Sequence, residues 1–185
     1  MKTLLLLVLC TISSVATAQK IVSDNVSSDG IRTILGETVN VRSMKDKVVF
    51  KVGLCASIFD GKVSYSLIVE STSLTSFTVK KGMKLMLKNT SEEVITLEAE
   101  GDFDASSGKV HNAGGFVFTD YTTAAFYPIT EDAIAKIEKG VIKIGQEHNT
   151  GRFDKDFKKD KIGAVLKEEY SLIKKAQESP SRNNF

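Results

Sequence analysis

Between Val48 and Val69 apolar side chains recur at every second position, and the parity changes once. In KVVFKVGLCASIF the residues Val48, Phe50, Val52, Leu54, Ala56 and Ile58 are apolar, while the odd positions include Lys51, Gly53, Cys55 and Ser57. Period-two alternation of this length predicts a strand. Asp60-Gly61 follows, a favoured pair for a two-residue type I′ turn, and the apolar parity then moves to Val63, Tyr65, Leu67 and Val69. A turn at 60–61 opposes residues whose numbers sum to 121. Ile58 then faces Val63, Ala56 faces Tyr65, Leu54 faces Leu67 and Val52 faces Val69, all on one face. Lys51 meets Glu70, Ser57 meets Ser64 and Cys55 meets Ser66 on the other. Turn chemistry and patterning therefore predict the same register.

A second hairpin is expected from GMKLMLKN and EVITLEA, with a turn around Thr90-Ser91-Glu92. It opposes Leu87 to Ile95, Leu85 to Leu97 and Lys84 to Glu98. Further strands are expected at 31–35, 38–42 and 116–126. The intervening GDFDASSGKVHNAGG, Gly101–Gly115, is rich in Gly, Ser and Asn and reads as a long loop, functional or mobile. Thr130 followed by Glu131 and Asp132 predicts a capped helix with Ala133, Ile134 and Ile137 on its apolar stripe and a left-handed stop at Gly140. A strand carrying Ile142 and Ile144 should follow.

The last element predicted is a helix from about Lys161 to Glu178. Its apolar side holds Ile162, Val165, Leu166, Tyr170, Leu172, Ile173 and Ala176 at helical spacing. Lys167, Glu168, Ser171, Lys174 and Lys175 fall on the other side. The fold class expected is α+β: mainly antiparallel sheet built from hairpins, sandwich- or barrel-like, with a short helix before the last strand and an amphipathic C-terminal helix.

The first eighteen residues read as a secretory leader. Lys2 precedes the apolar run Leu4–Ile12, and Ala16 and Ala18 form an A-x-A pattern, placing cleavage after Ala18. A spanning helix needs about 20 apolar residues, more than this run has. A lipoprotein anchor needs a small residue before the cysteine, and Leu9 precedes Cys10. Removing eighteen of 185 residues leaves 167, read as one β-rich domain over 19–178 and a frayed tail over 179–185. A chain of that length buries about 70% of its unfolded surface. The whole chain carries 25 Lys+Arg against 23 Asp+Glu, and the leader accounts for one Lys. Near-neutral charge supplies no basic field for nucleic acid.

Candidate chemistry is sparse. The mature chain keeps one cysteine, so an intrachain disulfide is excluded. A reactive Cys55 would need a base or a positive environment. Mid-strand and opposite Ser66, it reads as a packing residue, and the C-terminal helix bearing Leu166 and Ile173 is expected to shield it. His111 and His148 have no metal spacing with Cys55. DFDASSG, Asp102–Gly108, resembles a calcium loop, but Ser107 and Ala113 stand at the positions where an EF-hand needs Gly and Glu. Phosphate-loop and nucleophile-elbow motifs are missing from the sequence. With no Trp and four Tyr, platforms for sugar are few. No catalytic, cofactor-binding or metal residue is assigned, and no cofactor is expected.

The order DGIRTI, KKGMKLMLKNTSEEVITLEAE, FYPITEDAIAKIEKGVIKI resembles a group of small exported β-rich proteins of Bacteroidetes-type bacteria. The resemblance implies location and fold and carries no activity. The function expected is an exported, non-catalytic binding or structural module of the cell envelope: periplasmic, outer membrane-associated or secreted. It would meet an envelope protein or a small ligand and have no transmembrane segment once the leader is removed. Two rivals stand beside it: a carrier of a small apolar ligand inside a β-barrel, and a hydrolase using carboxylates from separate strands.

Overall fold

The computed structural model describes residues 19–41, 48–113 and 115–179; the leader, Arg42 and most of the tail, 180–185, lie outside them. The strands are β1 (Ile21–Val26), β2 (Arg32–Gly36), β3 (Val39–Asn40), β4 (Val48–Phe59), β5 (Lys62–Ser73), β6 (Thr78–Val79), β7 (Lys84–Asn89), β8 (Val94–Glu98), β9 (Phe103–Asp104), β10 (Ser106–Ala113), β11 (Phe116–Ile129), β12 (Val141–His148) and β13 (Gly151–Asp156). The helices are α1 (Glu131–Ile137) and α2 (Gly163–Glu178). A seven-stranded sheet runs β1-β2-β4-β5-β11-β10 with β3 also on β4, a four-stranded sheet runs β13-β12-β7-β8, and β6 pairs β9. All pairings are antiparallel. The larger sheet curls into a half-barrel, giving an α+β fold of mainly antiparallel sheet.

Both predicted hairpins occur in the predicted registers. β4 and β5 oppose Leu54 to Leu67, Cys55 to Ser66 and Lys51 to Glu70. Asp60 and Gly61 have φ of 49° and 71°, the left-handed pair a type I′ turn needs. β7 and β8 oppose Leu85 to Leu97 and Leu87 to Ile95, and Glu92 takes the positive φ that glycine would normally supply. Thr130 caps α1 by accepting from the Ala133 N–H at 3.2 Å.

The even-numbered face of β4 points into one core. Ile34, Leu54, Ala56, Leu67 and Val69 join Leu85, Leu87 and Ile144 of the smaller sheet, and Ile134, Leu166 and Ile173 of the helices. A buried polar chain crosses between the sheets: Ser71 donates to Gln146 Oε1, and Gln146 donates to the Tyr127 hydroxyl. All three residues are buried and hydrogen-bonded, so the chain orients the sheets without leaving an unpaired group.

Three expectations are corrected. The segment Gly101–Gly115 is largely strand, not loop: β9 pairs with β6, and β10 pairs with β11. Its strand is made by pairing along β11 rather than by burying a face, so no apolar alternation announces it. α1 is followed by two strands, β12 and then β13. Finally, α2 covers the Leu54 face of the large sheet, not the Cys55 face. Tyr170 meets Tyr65 edge-on at 5.4 Å, and Gln177 donates to the Tyr65 hydroxyl at 3.2 Å. The concave side of a curled sheet is the side that needs a lid, and α2 and the small sheet share that task. Cys55 and Ile68 are buried outside this core, on the opposite face.

Candidate functional site

The sequence-derived candidates take structural places. Cys55 is 6% exposed, and burial pushes its thiol up to about 11. A thiol held neutral is a poor nucleophile. It should label slowly in the native protein and quickly in denaturant; equal rates, read by thiol titration, would contradict its burial. His148 is buried between rings, with centroids 3.9 Å from Phe153 and 5.6 Å from Phe77, and burial lowers its pKa. Its Nδ1 takes the Thr150 N–H at 3.3 Å. In the segment resembling a calcium loop, Asp102 accepts from the Lys81 N–H at 2.8 Å and Asp104 from the Thr78 hydroxyl at 2.8 Å. The Asp104 bond fastens β6 to β9, and the Asp102 bond ties residues flanking the two strands. Among the described residues no group of three or more His, Cys, Asp or Glu side chains could hold a metal.

His111 belongs to the most distinctive surface of the molecule. β11 pairs with β5 only from Tyr121 onward, opposite Ser73. Between Ser107 and Asp120 the β10–β11 ribbon therefore runs past its last β5 partner as a two-stranded arm. On one face of the arm Val110 is 69% exposed and Val117 68%. On the other, His111 stacks on Phe118 with centroids 5.2 Å apart, and its Nε2 lies 2.8 Å from Asp120 Oδ2. These cross-strand contacts stiffen the ribbon locally. β10 is also the outer strand of the sheet, and among the described residues one edge of its backbone pairs with no other strand.

Two further places carry chemistry. An open groove of about 350 Å³ lies between Val63, Tyr65, Pro128, Ile129 and Glu131. At its margin Lys174 donates to Glu131 at 2.6 Å and lies over the Tyr65 and Tyr170 rings at 5.5 and 5.2 Å. The hydrogen bond from Lys174 lowers the Glu131 carboxyl, and the same bond raises Lys174. The second place is Glu169, fully buried in the middle of α2. Its Oε2 accepts the Leu54 N–H at 2.6 Å, and burial pushes its carboxyl up to about 8.

Glu169 answers a defect in the sheet. β2 pairs with β4 at positions summing to 90, whereas β3 pairs at a sum of 91. The register slips by one between Gly36 and Val39, and the carboxyl takes the Leu54 donor exposed there. A side chain on Gly36 would meet Glu169 Cδ at 3.0 Å, so a glycine leaves the carboxyl its space. The sequence reading missed Glu169, although a signal exists: 162, 166, 169 and 173 continue one helical stripe, with Glu169 in its middle.

The inner face of the half-barrel is filled by side chains. Leu54, Leu67, Leu85, Leu87, Leu166 and Tyr127 are all fully buried within it. Glu70, Glu93, Glu131 and Asp160 have lowered carboxyl pKa values. Glu169 is raised, and it lies in the packed interior rather than in a cleft. Fold and surface together define a β-rich scaffold with a packed interior and a projecting apolar arm. No family model matches the chain, and neither curated proteins nor solved structures provide a similar one.

Proposed function

We propose that the protein is an exported, non-catalytic binding module of the bacterial cell envelope, and that the Ser107–Asp120 arm is the surface it presents to an envelope protein. The arm carries this reading. It leaves the sheet, places Val110 and Val117 in solvent on one face, and costs the core nothing by doing so. Exposed apolar side chains held on a regular ribbon suit a protein contact. The leader pattern ending at Ala18 supports export. The filled inner face favours a binding surface over a ligand cavity, and the raised carboxyl in the core, away from any cleft, favours binding over hydrolysis.

A photoreactive residue at Val117, compared with one at Val94, tests this in cells. Val94 is 60% exposed on β8, in the other sheet, and serves as an apolar surface control. The expected result is an envelope-fraction protein that forms a discrete adduct from position 117 and not from 94. A cytoplasmic protein, or adducts independent of position, would defeat the reading.

A further inference from the structure

The backbone nitrogen of Gln19 sits at the place where removal of the leader would change its chemistry. In the uncleaved chain it is an amide N–H. After cleavage following Ala18 it is an α-amine, protonated below its ordinary pKa of about 7.7–8.0. In the fold this nitrogen lies 3.2 Å from Glu168 Oε1, and Gln19 is 9% exposed. The strand that follows holds it in place: the Glu37 N–H donates to the Lys20 carbonyl, and Ile21 pairs with Gly36. Gly36 in turn abuts the Glu169 carboxyl.

Among the described residues the surroundings are mainly acidic. Glu168 and Glu169 of α2 and Glu37 beyond β2 are close enough that Glu37 and Glu168 both raise the Glu169 carboxyl. Lys20 is 3.6 Å from Glu37, with its side chain 68% exposed. Two buried oxygens, Gln19 Oε1 and Glu169 Oε1, have no hydrogen-bond partner. The amide N–H supplies one donor, and Glu168 Oε1 takes it, whereas an ammonium brings three donors and a charge. Buried acceptors without donors are costly, so the arrangement is incomplete as an amide site.

We propose that the α-ammonium of Gln19, produced by cleavage after Ala18, is the built-in counter-ion of Glu168 and latches β1 onto α2. The proposal rests on the cleavage contained in the export reading. Gln19 is buried in the folded chain, so the peptidase must act on the chain in transit, and folding then seats the new terminus. Maturation thereby adds a charge and further donors to a contact that the uncleaved chain makes through an amide N–H.

The test compares three forms of residues 19–185: free amine, N-acetylated, and cyclised. In the cyclised form the amine nitrogen has bonded to the Gln19 side-chain carbonyl carbon, and the carboxamide nitrogen has left as ammonia. It carries no charge and no added atoms. At pH 6.5 the folding equilibrium constant of the free-amine form is expected to exceed the other two by on the order of tenfold, the scale of a charge-assisted hydrogen bond. The advantage should shrink in Glu168→Gln, and the amine should titrate above its ordinary range by NMR. Equal stabilities, with the amine titrating as in a peptide, would overturn the proposal. N-terminal sequencing of the exported protein separates the two claims. A start other than Gln19 defeats the cleavage and the proposal together, whereas a Gln19 start with equal stabilities defeats the proposal alone.

Discussion

The domain should lose stability steadily as pH rises from 6.5 to 8, and Glu169→Gln should flatten that slope. The Glu169 carboxyl moves from an ordinary 4.5 up to about 8 because it is buried, with Glu37 and Glu168 adding to the effect and the Leu54 N–H opposing it. In the unfolded chain the group ionises near 4.5, so between 4.5 and 8 the native state holds a proton that the unfolded state releases. The associated stability is complete below pH 4.5 and is lost as pH rises through 8. At about 1.4 kcal/mol per pH unit, the loss approaches about 5 kcal/mol. The groups facing Glu169 are Glu37, whose charge Lys20 partly offsets, and Glu168, which accepts from the Gln19 nitrogen. Glutamine keeps an oxygen for the Leu54 N–H and cannot ionise, so the variant should overtake the wild type as pH rises. Urea denaturation across this range decides the matter; parallel curves for the two proteins would contradict the assignment.

How much of this was legible in the sequence varied with physical cause. The β4–β5 register could be read because two independent constraints agree: Asp60-Gly61 sets a two-residue turn, and the parity switch places Leu54 and Leu67 on one face. The start of α1 could be read because Thr130 is a cap that acts within four residues. β10 could not, because SSGKVHNA offers no buried alternation, and the strand exists through pairing with β11. RFDK in β13 hides for the same reason, with charged residues around Phe153. That α2 is amphipathic was plain, but periodicity says nothing about which face of a sheet a helix will cover. The apolar stripe of α2 joins the core on the Leu54 side, not the Cys55 side. The role of Glu169 depends on a one-residue slip between β2 and β3, which arises only when three strands meet.

The arm follows the same logic from the other direction. Because Ser107 opposes Tyr121, residues 108–120 can be replaced by Asn-Gly, closing a two-residue hairpin in the existing register. The residues removed include Val110, Val117 and Phe118, which are exposed, and among the described residues none belongs to the core cluster. Unfolding free energy should therefore stay within about 1 kcal/mol of the wild type, as expected for changes away from buried features. Association through the proposed contact surface should be lost. The most direct measurement is native sedimentation of a cell-envelope extract, with purified stability measured alongside. The account predicts a wild-type protein that travels in a complex and an armless protein, equally stable, that travels as the free chain. An armless protein that stays folded and still travels in the complex would contradict it.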